Sequence, residues 1–274
     1  GFFYLDHRTV DGVHSLITDT HVTPANVHDS GPYLDRIDRM RTRFGFEIGA
    51  VGLDAGYFTP HICKGLIERN IYGVIGYRRP NHKDGFFYKR EYEYDAEADV
   101  YRCPNGQLLA YSTTNRLGYR EYKSDAKQCS DCLSRAQCTA SKNHVKVVTR
   151  HVWQHFKEQL NANRLSANGK EIYKHRKETV ERSFADAKQL HGHRYARFRG
   201  LAKVKAQALL AAACQNMKKM ASLLEKALRL SLSPYFTQLK CLWRSWKVLG
   251  LRWKNTWRNS IIFTMPTRDP IMTQ

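Results

Sequence analysis

The sequence predicts an α/β fold, in which a mixed sheet flanked by helices is interrupted by an antiparallel β insertion. Three observations predict it. Before residue 80, strand-like runs alternate with helical ones in the order expected of parallel crossovers. Between residues 86 and 149 the chain changes to short aromatic–charged alternations joined by turn residues. From residue 151 to 228 helical periodicity takes over.

Residues 2–10 (FFYLDHRTV) and 14–23 (HSLITDTHVT) are β-branched and aromatic, with Asp11-Gly12 between them as a hairpin signal. Residues 29–44 read as a helix, with Asp29 or Ser30 as N-cap, Pro32 in its first turn, and Leu34, Ile37 and Met40 facing inward. The apolar run 48–54 ends in Asp54. A turn through Thr59-Pro60 then enters a helix, and 71–77 is a further buried strand. In the insertion, strands are expected at 86–94, 100–103, 108–114, 119–123 and 145–149. A helix around 151–163, a polar loop at Ser166–Lys170, a helix over 173–188, a basic loop at 191–200 and a long helix over 201–228 complete the pattern. This divides the chain into 1–79, the insertion 80–150, the helices 151–228, and a tail 229–274 that holds four of the five tryptophans and matches nothing familiar.

Composition sets the function class. With 45 Lys and Arg against 25 Asp and Glu, the chain carries a formal charge of +20, which points to a polyanionic partner such as nucleic acid. No run of about eighteen apolar residues is present, so no membrane span is expected. Seven cysteines without a secretory signal argue for a reducing compartment. The chain starts at Gly1, already inside a strand-like run, and so reads as a fragment or a processed product.

Two carboxylates stand out. Asp54 ends a buried strand, where α/β sheets place their ligands, although a plain helix cap is the bland reading. Glu181 lies on YKHRKETVERSFADAK, residues 173–188. On a regular α-helix, Lys177, Glu181, Phe184 and Lys188 share one face, with Tyr173 at its upper end. Alone, that stretch is equally an ordinary surface helix with Lys–Glu pairs.

LDAGYFTP at 53–60 and the 173–188 block, followed by HGHRYARFRGLAKV and AAACQNMKKM, resemble the second and third acidic blocks of bacterial insertion-sequence DDE transposases. The resemblance covers roughly residues 1–225. It implies a ribonuclease H-like fold, with a β insertion between the second Asp and the Glu. It also implies a two-metal Mg²⁺ (or Mn²⁺) site on an Asp, Asp, Glu triad, and cleavage and strand transfer at transposon ends. The family's signature runs Tyr, two residues, Arg, three residues, Glu, six residues, Lys. Tyr173, Arg176, Glu181 and Lys188 follow it, except that four residues separate Arg176 from Glu181. Either Arg176 or Lys177 takes the Arg role, and a regular helical face favours Lys177. The resemblance thus makes Asp54 and Glu181 metal ligands, with Tyr173, Arg176, Lys177 and Lys188 as DNA contacts. The implied partner is double-stranded DNA, at transposon ends and target, bound by a homodimer in a bacterial cytoplasm, close to the nucleoid. The family's first Asp belongs on a strand ahead of the two N-terminal ones, and so is expected upstream of Gly1. Asp6, Asp11 and Asp19 are weaker substitutes.

Two further groups carry chemistry. Arg194, Arg197 and Arg199, interleaved with Tyr195 and Phe198, suit phosphates and unpaired bases. The 78–83 stretch, RRPNHK, is a second phosphate candidate. Cys129-x2-Cys132 has knuckle spacing, and Cys103 and Cys138 complete four thiolates for a structural Zn²⁺; packed thiols without metal are the alternative. Two competing functions remain: a non-catalytic DNA-binding remnant, and a zinc-stabilised interaction module.

Overall fold

In the computed structural model, residues 3–79 and 82–248 are described, with side-chain surroundings through residue 229. Tail tryptophans 243, 246, 253 and 257, and Pro80 and Asn81 of the 78–83 stretch, therefore lie outside the described side chains. Residues up to Lys219 form one compact unit, and those from Met220 onward a second.

The N-terminal hairpin forms as expected. Strands β1 (Tyr4–Val10) and β2 (Ile17–Pro24) pair antiparallel. The connection is longer than a two-residue turn: Asp11 N–H donates to Leu16 O, and Ser15 takes a left-handed conformation. Helix α1 (Tyr33–Phe44) buries Leu34, Ile37 and Met40, as its periodicity predicts. Its N-cap is Pro32, not Asp29 or Ser30, and no side chain caps it. Strand β3 (Ala50–Leu53), helix α2 (Pro60–Glu68) and strand β4 (Tyr72–Ile75) form a parallel crossover. Thr59 caps α2 by accepting from Ile62 N–H, with Pro60 in the first turn. Ile37, Ile62, Leu66 and Ile75 of these elements, with Leu160 from a later helix, make one fully buried core, each side chain worth about 1.5–3 kcal/mol on burial.

The described strands do not share the single mixed sheet expected from the sequence. Among the described residues, β1–β2 and β3–β4 are separate two-stranded sheets. No strand joins them, and a helical segment spans both instead.

The insertion is a five-stranded antiparallel sheet in sequential order: β5 (Glu93–Asp95), β6 (Val100–Arg102), β7 (Leu108–Thr114), β8 (Tyr119–Ser124) and β9 (Val147–His151). The strand expected over 86–94 survives only at its end. Lys89–Glu91 is a turn of 3₁₀-helix, held by Glu91 accepting from the Tyr88 N–H. Between β8 and β9, α3 (Ala126–Ser130) and α4 (Arg135–Cys138) carry Cys129 and Cys138, with Cys132 in the turn between them. Tyr92, Tyr101, Leu109, Tyr122 and Val148 form a second core. Arg150 on β9 grips Glu158 through two hydrogen bonds, of 2.7 and 2.9 Å, and ties the insertion to α5 (Gln154–Leu165).

The polar loop expected at 166–170 is helix. Ser166 ends α5 and caps α6 (Ala167–Arg176), accepting from Gly169 N–H at 2.9 Å. Polarity misleads there because Asn168, Gly169 and Lys170 occupy the first turn, where uncapped amides favour polar neighbours. A π-helical turn over Lys177–Glu181 leads into α7 (Arg182–Leu190). The last helix, α8 (Leu201–Val248), continues beyond the predicted residue 228.

Candidate active site

Asp54 follows the last residue of β3, at the carboxyl end of the parallel pair. Its backbone is extended, and its Oδ1 accepts from Ala55 N–H at 2.7 Å, capping a 3₁₀ turn over Ala55–Tyr57. The bland capping role is thus real, but it uses one oxygen. The other, Oδ2, lies 3.9 Å from Arg176 Nη2.

The Glu181 helix is built around its irregularity. Thr179 is buried and returns its hydroxyl to the carbonyls of His175 and Arg176. The extra residue between Arg176 and Glu181 is absorbed by the π turn, where hydrogen bonds reach five residues back. A pair five apart then does what a pair four apart does on an α-helix: Arg176 Nη1 donates to Glu181 Oε1 at 2.7 Å. The expectation that a regular face would favour Lys177 is corrected, because the face is not regular at that point. Lys177 is exposed, and Arg176 is the cation between Asp54 and Glu181. Two carboxylates 127 positions apart therefore share one guanidinium.

Tyr173 completes this corner. Its ring lies 5.8 Å from the Arg176 guanidinium. Its hydroxyl sits over Gly76, where an added Cβ would come within 2.6 Å of the Oη and 3.1 Å of the Ala55 nitrogen. Only glycine admits that approach. Tyr57 stands at the edge of the site. Burial raises its pKa, with Asp29 adding to the effect, so the phenol remains neutral. The sequence reading gave Tyr57 no role, although it lies in the LDAGYFTP block.

Beside Glu181 runs a groove of ≈ 420 Å³ lined by Glu181, Phe184, Ala185, Lys188, Gln189 and Arg194. It joins Lys188 and Phe184, predicted from helical spacing, to Arg194 of the basic loop, which spacing could not predict. In that loop Arg194, Arg197 and Arg199 are exposed, as are Tyr195 and Phe198. The loop is nonetheless anchored. Gln207 accepts from Arg197 N–H and donates to Tyr195 O, and His193 Nε2 lies 3.0 Å from Asp6 Oδ2.

The three N-terminal aspartates are engaged elsewhere. Asp6 pairs with Arg8 at 2.9 Å and with His193. Asp19 pairs at 2.6 Å with Arg36, one of the most deeply buried side chains. Asp11 accepts from His14 N–H. Arg8 in turn reaches the carbonyl and hydroxyl of Ser183 on α7. Ile172 packs at Gly52 of β3. One continuous helical segment therefore rests on both small sheets.

Asp54 and Glu181 offer exposed carboxylate oxygens, the donor type a hard divalent ion takes. Both are engaged by Arg176. Among the described residues, no three His, Cys, Asp or Glu side chains are already gathered around one metal position, at the carboxylates or at the cysteines. No helix among the described residues is long and apolar enough to cross a membrane.

Lys188, Arg194 and Phe184 line the groove together with the Glu181 carboxylate, and cations and aromatic rings are the side chains that phosphate-rich ligands use. Comparison with known families makes this specific: residues 102–221 match the transposase DDE domain. That stretch is thus similar to part of a DDE transposase catalytic domain, and the match includes Glu181, the groove and all four cysteines of the insertion. No curated protein and no solved structure matches the chain.

Proposed function

We propose that this chain forms the Glu-bearing part of a ribonuclease H-like transposase core that cleaves and joins DNA at transposon ends, with Asp54 and Glu181 as metal ligands. One observation carries the reading: Arg176 links Asp54 to Glu181, and Glu181 lines a groove together with Lys188 and Arg194. Asp54 and Glu181 would hold a divalent ion, which would supply Lewis-acid chemistry to the attacking hydroxyl and the leaving oxygen. The chain's own residues do the rest. Arg176 exchanges its carboxylate contacts for a phosphate, which its planar fork suits. Tyr173 supports that guanidinium, Lys188 and Lys177 add charge along the helix, and Phe184 offers an aromatic surface in the groove. Arg194, Arg197 and Arg199 supply the salt-dependent, sequence-independent part of binding.

A second reading has its own observation. No third acidic ligand is gathered with Asp54 and Glu181 among the described residues, and Arg176 already neutralises both. A DNA-binding remnant would look the same. Purified chain is incubated with labelled duplex DNA and Mn²⁺, and binding and nicking are measured separately. The catalytic reading expects nicking that Asp54→Asn and Glu181→Gln abolish while binding persists. Tight binding with no nicking in the unmodified chain selects the remnant. If neither binding nor nicking occurs, both readings fail.

A further inference from the structure

The four cysteines of the insertion come from three separate pieces of chain, and hydrogen bonds tie those pieces together. Cys103 opens the β6–β7 turn. There Cys103 N–H donates to Gln107 O, Gly106 N–H donates to Cys103 O, and Gln107 N–H is turned onto Cys103 Sγ at 3.3 Å. Gly106 takes the left-handed conformation that this tight turn needs. Cys129 lies in α3, and Cys132 follows in the turn that Arg135 N–H closes by donating to Cys132 O. The side chain of Asn105, two residues after Cys103, donates to Cys132 Sγ at 3.1 Å, and Ser134 holds the other end of that amide. Cys138 ends α4, with the Tyr92 hydroxyl 3.1 Å from its sulfur. Cys103 and Cys129 are electrostatic neighbours of Cys138. All four thiols are half-buried and none is in a disulfide.

Three of the four sulfurs thus meet an N–H or O–H group. A neutral thiol is a weak acceptor and gains little from such company, whereas a thiolate gains much. Donors aimed at sulfur are what surrounds metal-bound thiolates. Packed structural thiols, by contrast, sit among apolar atoms, as Cys63 does: it is fully buried, and burial pushes its thiol up to about 12.

We infer that Cys103, Cys129, Cys132 and Cys138 bind one structural Zn²⁺ that pins the β6–β7 turn to α3 and α4. The sulfurs are not yet gathered on a common point, so binding requires side-chain rotations that draw them in. The ion would hold together a stretch of 14 residues, from Asp125 to Cys138, whose two short helices contain no buried residue of their own. This inference does not depend on the catalytic reading.

The test uses the full chain. Zinc content is measured on protein purified without chelator, and Co²⁺ is then titrated into metal-free protein. One zinc per chain is expected, together with thiolate-to-cobalt charge transfer and the intense visible bands of tetrahedral Co²⁺. Cys132→Ser should abolish both signals, while Cys214→Ser, at an exposed thiol on α8, should leave them unchanged. Tyr92→Phe keeps all four ligands and should weaken metal affinity by about 10–100-fold. Absence of zinc together with no thiolate–cobalt band in the unmodified chain would overturn the inference, and so would equal losses in Cys132→Ser and Cys214→Ser.

Discussion

Gly169→Ala separates what helix propensity says from what packing says. Gly169 is buried in the first turn of α6, and in an unencumbered helix alanine is better than glycine by about 1 kcal/mol. In the folded chain an added Cβ would meet the backbone carbonyl oxygen of Asn163 at 1.9 Å, where real contacts stay above 3.0 Å. That carbonyl would have to retreat by more than 1 Å. It cannot do so freely, because it accepts from the Ser166 N–H at 3.2 Å and from the Ser166 hydroxyl at 2.7 Å. Overpacking against fixed backbone costs about 1–3 kcal/mol or more. After the propensity gain, a net loss of about 2 kcal/mol remains at the upper end of that range, where a contact against fixed backbone belongs. Urea unfolding of Gly169→Ala should show a lower midpoint at unchanged slope. Gly49→Ala, where nothing lies within 4 Å of the added Cβ, is the control and should show no loss. DNA affinity should fall with Gly169→Ala as well, because α6 carries Tyr173 and Arg176. A Gly169→Ala protein as stable as the parent would refute the tight α5–α6 elbow and the placement of the site helix that follows from it.

Other outcomes follow from the same geometry. Asp6→Ala takes the carboxylate partner from the buried Arg8 guanidinium, leaving it only the Ser183 oxygens, and should cost about 3–5 kcal/mol in urea unfolding; it also frees His193, so protease cleavage within 191–200 should accelerate. Stability should fall as the pH drops below the ordinary histidine value of 6.5. His7, held below that value by burial and then by Arg36, stays neutral in the fold where the unfolded chain takes up a proton. His21 and His151 act in the same direction. His7→Gln should flatten the pH dependence between 7.5 and 5, and an unchanged profile would exclude His7 as a source. Arg176→Ala should weaken DNA binding more than Lys177→Ala in fluorescence anisotropy, and equal effects would restore the regular-helix reading. Replacing Arg194, Arg197 and Arg199 together by alanine should lower the dependence of log affinity on log salt by about 2–3.

The strands, the crossover helix and the insertion were legible because each obeys local rules. β-branched alternation, the Thr59-Pro60 start signal and the spacing of Leu34, Ile37 and Met40 need no knowledge of distant residues. The Glu181 stretch was legible as helix by the same logic. Its one irregular step was visible only as an extra residue between Arg176 and Glu181. No local rule says whether a helix absorbs such a residue as a π turn or as a shift of face. The buried Thr179, and the Arg8–Ser183 contact beyond it, belong to the packed structure. They hold the π turn in place and give Arg176, not Lys177, the position between the carboxylates. Likewise the polar run at 166–170 hid a helix start, since capping by Ser166 and the approach of Asn163 are tertiary facts. Sequence alone determined the charge, the two carboxylates and the cysteine spacing, because these are matters of composition and order. Only the tertiary structure brought Asp54 and Glu181 to one guanidinium, and Asn105 and Tyr92 to cysteine sulfurs, because contacts between residues far apart in the chain exist only once the helices and sheets have packed.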